Sequence, residues 1–204
     1  MSPRPSRKRS TTTRTTSSPK KRRSSTARAS SKRKSTDQPG RIYLGLGSNL
    51  GDRRRFLNRA LSRLRALSRL RLLRVSSFYR TEPVGRGDQP DFENAVAEIS
   101  WSGTPSALLA AVKRIERDLG RVVRGTDGPR EIDLDILDFG GMVRDGPDPV
   151  LPHPRMAARR FVLAPLAEIA PAWRHPVSGR SVKDLLAELP ARPRARRIDS
   201  FLSS

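Results

Sequence analysis

Gly128 to Leu137 reads GPREIDLDIL, and the way its side chains alternate decides the fold. In a strand, Ile132, Leu134 and Ile136 share one face, while Asp133 and Asp135 project together from the other. Two carboxylates that close repel each other unless something positive lies between them. The acid face therefore meets either solvent or cations.

The neighbours of this run favour cations. Arg130 stands beside the acids, with Arg121 and Arg124 in the preceding loop and His153, Arg155, Arg159 and Arg160 in the following segment. Acids suited to a hard divalent ion, flanked by guanidiniums able to grip phosphate oxygens, point to nucleotide polyphosphate chemistry. Upstream, GLGSNLGD follows a strand and opens a helix but ends without the Lys-Ser/Thr of a phosphate loop. Its glycines are read as a tight turn with close backbone packing, and Asn49 as a group that orients part of the site.

Working outward, RIYLGLGS is a short strand, and the next segment carries Leu57, Ala60, Leu61, Leu64 and Ser68 at helical spacing. RLLRVSSFYRT and DFENAVAEISW read as two strands around a loop rich in Pro and Gly. Thr104 and Pro105 start a second helix with Leu108, Val112, Ile115 and Leu119 on one face and a stop at Gly120. With EIDLDILDF the order is β-α-β-β-α-β, an α+β ferredoxin-like core: one sheet, two helices on one face and a second face free for a site. A helical turn follows, then a helix interrupted by Pro165, a last helix capped by Ser181 and Asp184, and a basic, frayed C-terminal tail over 191–204.

Charge divides the chain unevenly. Residues 1–40 hold 13 Lys/Arg against one acid, and no Leu, Ile, Val, Phe, Trp or Tyr. Such a segment buries too little apolar surface to offset its chain entropy, so it is expected to be a disordered tail. Its lysines and arginines suit loose contact with nucleic acid or another polyanion, in particular over residues 1–38. The globular domain is expected over 41–190. There is no cysteine, which removes disulfides, thiolate nucleophiles and cysteine-based metal sites and suits a cytoplasmic protein. No apolar run reaches the roughly 18 residues of a membrane span.

Four blocks, YLGLGSNLGD, SSFYRTEPVGRGDQPDFENAV, GPREIDLDIL and LPHPRMAARRFVLAPLAEIAP, stand in order between Arg41 and Pro171. Together they resemble the 6-hydroxymethyl-7,8-dihydropterin pyrophosphokinase family. The resemblance implies transfer of pyrophosphate from ATP to the hydroxymethyl group of the dihydropterin, releasing AMP, in folate biosynthesis. It implies that Asp133 and Asp135 ligate two Mg²⁺ ions and that Arg121 and Arg130 belong to the catalytic centre. Glu116, Arg130, Ile136, His153 and Arg159 match ATP-site positions, and Thr81, Val84, Phe92, Asn94 and Phe161 match the pterin pocket. The chain departs from the family's pattern at Asp127, where a tryptophan is common, and at Lys113, Asp148 and Pro154. The alternative reading is a nucleic-acid-binding protein that uses the basic arm and carries an inactive folded domain; it predicts no AMP.

Overall fold

Seven residues of β1, Ile42–Ser48, form the middle of the fold because the strand is buried on both faces. Ile42, Leu44 and Leu46 enter one apolar cluster, Tyr43 a second, and Gly45 and Gly47 leave room above the second face. The computed structural model describes residues 40–83, 89–124 and 128–198, all within the unit Asp37–Ser204. The expectations for the basic tail, for Val84 and for Asp127 lie outside those residues.

After β1 come α1 (Arg53–Arg65), β2 (Leu70–Val75), β3 (Phe78–Thr81), β4 (Phe92–Trp101), α2 (Pro105–Asp118) and β5 (Asp133–Phe139). A short 3-10 turn, Met156–Ala158, leads to α3 (Arg160–Ile169), α4 (Val182–Glu188) and β6 (Ala195–Ile198). The sheet runs β5-β1-β4-β3-β6, with β2 paired to the other end of β4, and every pairing is antiparallel. The result is a mixed α/β fold on an antiparallel sheet.

Helix α1 starts where Asp52 accepts a hydrogen bond from the Arg55 amide at 2.9 Å, and it buries Leu57, Ala60, Leu61 and Leu64. Ser68 lies past its end, exposed in the turn, so the apolar stripe is one residue shorter than the spacing predicts. Helix α2 has the expected Thr104 cap and Pro105 start, and the chain turns away at Gly120, where φ is +85°. Both helices cover the face that carries Leu134 and Ile136.

Four expectations are corrected. RLLRVSSFYRT is two strands, because serine side chains replace ladder partners at the break: Val96 donates to Ser76 Oγ at 3.0 Å while the Ser76 amide still donates to the Val96 carbonyl at 2.9 Å, and Ser77 donates to Glu168. The second sheet face is not free. α3 and α4 cover part of it with Val162, Leu163, Leu166, Val182 and Leu185, packed on Val96 and Leu137. Helix α3 runs through Pro165, whose missing amide deprives only the Phe161 carbonyl while five of its side chains are buried. Finally, Ala195–Ile198 is no frayed tail but an edge strand on β3, with Thr81 opposite Ala195.

Candidate active site

Uncovered by α3 and α4, the remainder of the second sheet face forms a cavity of about 330 Å³. Its floor includes bare backbone at Gly45 and Gly47. A Cβ on Gly47 would stand 2.8 Å from Asn94 Oδ1, and one on Gly45 would stand 3.3 Å from a Leu137 methyl carbon. The GLGS glycines thus serve close packing, which lets the Asn94 amide approach β1 at Gly47. Asn94 donates to Thr81 Oγ1 at 2.7 Å, and Phe92 and Phe161 stand in the same cavity.

β5 sends Asp133 and Asp135 into this space, as its alternation predicts, while Leu134 and Ile136 are buried behind it. Asp133 is held at both oxygens, by Arg121 at 2.6 Å and Arg130 at 2.7 Å. Burial opposes its ionisation, but Arg130, Arg121 and Lys113 outweigh that and keep its carboxyl below the ordinary value. Asp135 has looser company: Lys113 at 3.8 Å and His153 and Arg159 at 3.9 Å. Burial, more than the facing arginines, lowers the His153 pKa despite Asp135. Its Nδ1 accepts the Arg155 amide at 3.1 Å, so the neutral ring carries its proton on Nε2, toward Asp135.

Lys113 and Glu116 solve a separate problem. β5 ends the sheet, so the outward amide and carbonyl of Leu134 lack a strand partner. Glu116 Oε1 accepts the Leu134 amide at 2.6 Å, and Lys113 donates to the Leu134 carbonyl at 3.0 Å. The same Glu116 oxygen meets Lys113 at 2.8 Å and Arg121 at 2.5 Å. One helical turn of α2 therefore seals the sheet edge and steadies the cations beside the acid pair.

Asn49 pins the other side. Its Oδ1 accepts the Arg130 amide at 2.7 Å, its own amide donates to the Arg130 carbonyl, and its Nδ2 reaches Gln89 at 3.2 Å. Arg130 in turn lies 5.9 Å above the Phe92 ring, and Arg159 lies 5.4 Å above Phe161. Each arginine joins the acid end of the cavity to its aromatic end.

The structure brings together Thr81, Phe92, Asn94, Phe161, Arg130, Asp133, Asp135 and Arg159 around one cavity, with Arg121 and His153 on the acids. Two predicted residues stand elsewhere: the Ile136 side chain is in the core on the helix side, and Glu116 is 3% exposed, beneath the cations. Sequence reasoning passed over Lys113 as a site residue; the signal was an acid pair on an edge strand, which asks for a cation at α2 spacing from Glu116. It also passed over residues 189–193, whose basic, proline-rich text matches the rest of the chain.

Residues 43–171 match the family described as 7,8-dihydro-6-hydroxymethylpterin-pyrophosphokinase (HPPK). A 2-amino-4-hydroxy-6-hydroxymethyldihydropteridine pyrophosphokinase of Pseudomonas aeruginosa is 45% identical over 150 residues, 74% of this chain and 92% of the relative. One of the same description from Bacillus subtilis is 46% identical over 127 residues, 62% of this chain and 76% of the relative. A Plasmodium falciparum HPPK-DHPS crystal structure shares the fold, with a TM-score of 0.57 at 16% identity, covering 74% of this chain and 44% of that one. The chain thus spans less than half of that longer protein. By the reach of the family match and the coverage of 92% of the Pseudomonas relative, the chain belongs to the 7,8-dihydro-6-hydroxymethylpterin-pyrophosphokinase family, whose members transfer pyrophosphate from ATP to the hydroxymethyldihydropterin in folate biosynthesis.

Proposed function

We propose that this cavity performs that transfer with Asp133 and Asp135 as Mg²⁺ ligands and with Thr81, Phe92, Asn94 and Phe161 as the pterin seat. The observation that carries the reading is the meeting, in one cavity, of an acid pair ringed by cations with an amide and two aromatic rings. Mg²⁺ fits the donor set: it binds through one or two carboxylates and completes its shell with water and phosphate oxygens. Among the described residues no cluster of three or more acidic or imidazole ligands offers an all-protein cage. Bound there, two such ions would supply charge neutralisation on the triphosphate and on the departing AMP.

The chain's own groups do the rest by position and electrostatics. Arg121 and Arg130, which occupy both oxygens of Asp133, exchange that carboxylate for phosphate oxygens when the nucleotide arrives. Lys113, neutral His153 and Arg159 face the remainder of the polyphosphate around Asp135. Glu116 and Ile136 serve the nucleotide site from behind, as its frame. Phe92 and Phe161 hold the flat ring, and the Asn94 amide meets its polar edge. The hydroxymethyl oxygen then attacks the β-phosphorus of ATP, the bond from that phosphorus to the AMP oxygen breaks, and the hydroxyl proton is released. We place this chemistry in the domain 41–190 extended by β6, and read β5-β1-β4 with its β2/β3 flank as a ferredoxin-like core.

Incubating the full chain with ATP, Mg²⁺ and 6-hydroxymethyl-7,8-dihydropterin tests the reading. AMP and pterin diphosphate are expected in equal amounts, and removal of Mg²⁺ by chelation should stop both. ADP as the product would replace the reading with ordinary phosphoryl transfer.

A further inference from the structure

One wall of the cavity comes from beyond the matched residues 43–171: Leu189, Pro190, Arg192 and Pro193 line it together with Phe92 and Phe161. Two anchors hold this strap. The Arg160 guanidinium donates to the carbonyls of Leu189 at 2.7 Å and Pro190 at 3.0 Å, gathering the end of α4 onto α3. On its far side β6 pairs with β3, setting Ala195 against Thr81. Thr81 is the residue that accepts from Asn94, so the strap runs past the amide-and-ring end of the cavity, not past the acids. Its two prolines restrict it further, which leaves little to order when a ligand arrives.

The strap also carries a spare cation. Among the arginines that line the cavity, Arg130 bonds Asp133, Arg160 bonds the strap carbonyls, and Arg155 and Arg159 have partners of their own. Arg192 makes no hydrogen bond or ion pair with the described residues. A guanidinium brought to a cavity wall with its donors uncommitted is available to whatever fills that cavity.

We propose that the strap Leu189–Pro193 is a wall of the acceptor pocket and that Arg192 is a specificity-determining residue, donating to the acceptor, a flat heteroaromatic alcohol with a ring carbonyl. This rests on the assignment of the cavity to the pterin, and wild-type AMP formation tests that assignment separately: its failure removes the cavity's substrate, whereas failure of the strap leaves the wild-type reaction standing.

Steady-state kinetics on the full chain decide the matter. Arg192→Ala should raise KM for the dihydropterin roughly tenfold and leave KM for ATP within about twofold. Fluorescence titration of the pterin without nucleotide should show its Kd weakened in proportion, an effect that general loosening of the fold would not confine to one substrate. Arg192→Lys, which keeps charge and loses the fork, should recover part of the affinity, and Arg194→Ala, one charge removed off the cavity, should shift neither KM. A rise in KM for ATP as large as that for the pterin would move Arg192 to the nucleotide, and unchanged constants would make the strap a bystander; either result overturns the proposal.

Discussion

The two faces of β5 are a single strand of seven residues put to opposite uses. Toward α1 and α2, Leu134 and Ile136 are buried among Leu57, Leu108, Val112 and Ile115, and nothing polar is left for a ligand. Toward the cavity, Asp133 and Asp135 keep 20% and 31% of their side-chain surface and sit among more cations than they can neutralise. From Asp133 to Ile136 the apolar packing thus lies on one face and the reactive charge on the other, a separation that strand periodicity supplies at no extra length, before Leu137 returns the cavity face to packing under α3 and α4. Glu116 and Lys113 serve both: each holds the sheet edge at Leu134, and Glu116 also braces Lys113 and Arg121 beside the acids.

The largest test strikes the cavity face. Asp135→Ala should lower AMP formation about a thousandfold and leave the melting temperature near that of the wild type. Among the described residues every ion pair of Asp135 is 3.8 Å or longer, and such loose pairs contribute little to stability. Turnover like that of the wild type would erase the distinction between the faces. The reciprocal change, Leu134→Ala, should cost about 2–5 kcal/mol in denaturant unfolding. Its KM values, measured well below the melting temperature, should hold, because the lost methyls face the helices; loss of activity with stability intact would invert the comparison.

Much of this separation was legible in GPREIDLDIL, because alternation is a local property and both acids fall on one parity. The cap at Thr104 and the stop at Gly120 were legible for the same reason. What escaped was set by contacts distant along the chain. The break at Ser76-Ser77 depends on Glu168, ninety-one residues on from Ser77, and no propensity in RLLRVSSFYRT records it. β6 took its place because β3 still had a free edge, and ARRI is too short and too charged to announce a strand. The resemblance gives Ile136 an ATP-site position, although its own parity puts its side chain in the core. Lys113 became visible only once β5 was known to end the sheet.

Glu116→Ala probes the carboxylate that joins the two faces. It leaves the Leu134 amide without its acceptor and removes a carboxylate from beside Lys113 and Arg121, so a loss of about 1–3 kcal/mol in stability is expected. The kcat should fall as well, because the cations relax toward Asp133. Full kcat in the variant would confine Glu116 to the sheet edge.

The smallest test asks whether the cavity side of the sheet contributes any stability of its own. Glu168, on α3, accepts from the Ser77 amide at 3.1 Å, Ser77 Oγ at 2.9 Å and Tyr79 Oη at 2.9 Å, fastening α3 to the break between β2 and β3. Burial raises its pKa, but the Ser77 and Tyr79 donors prevail, and the folded carboxyl titrates below its ordinary 4.5. The same contact, after burial, pushes the Tyr79 hydroxyl up to about 12. A depressed carboxyl pKa stabilises the folded chain fully above the unfolded value and loses that contribution as pH falls through the folded one. Glu168→Gln should therefore cost about 1 kcal/mol at pH 7, with the gap to the wild type closing as unfolding is followed below pH 4.5. A gap that stays constant down to pH 3 or so would mean that the Glu168 contact acts through shape alone, and the cavity face would then owe its stability to the packing of α3 and not to charge.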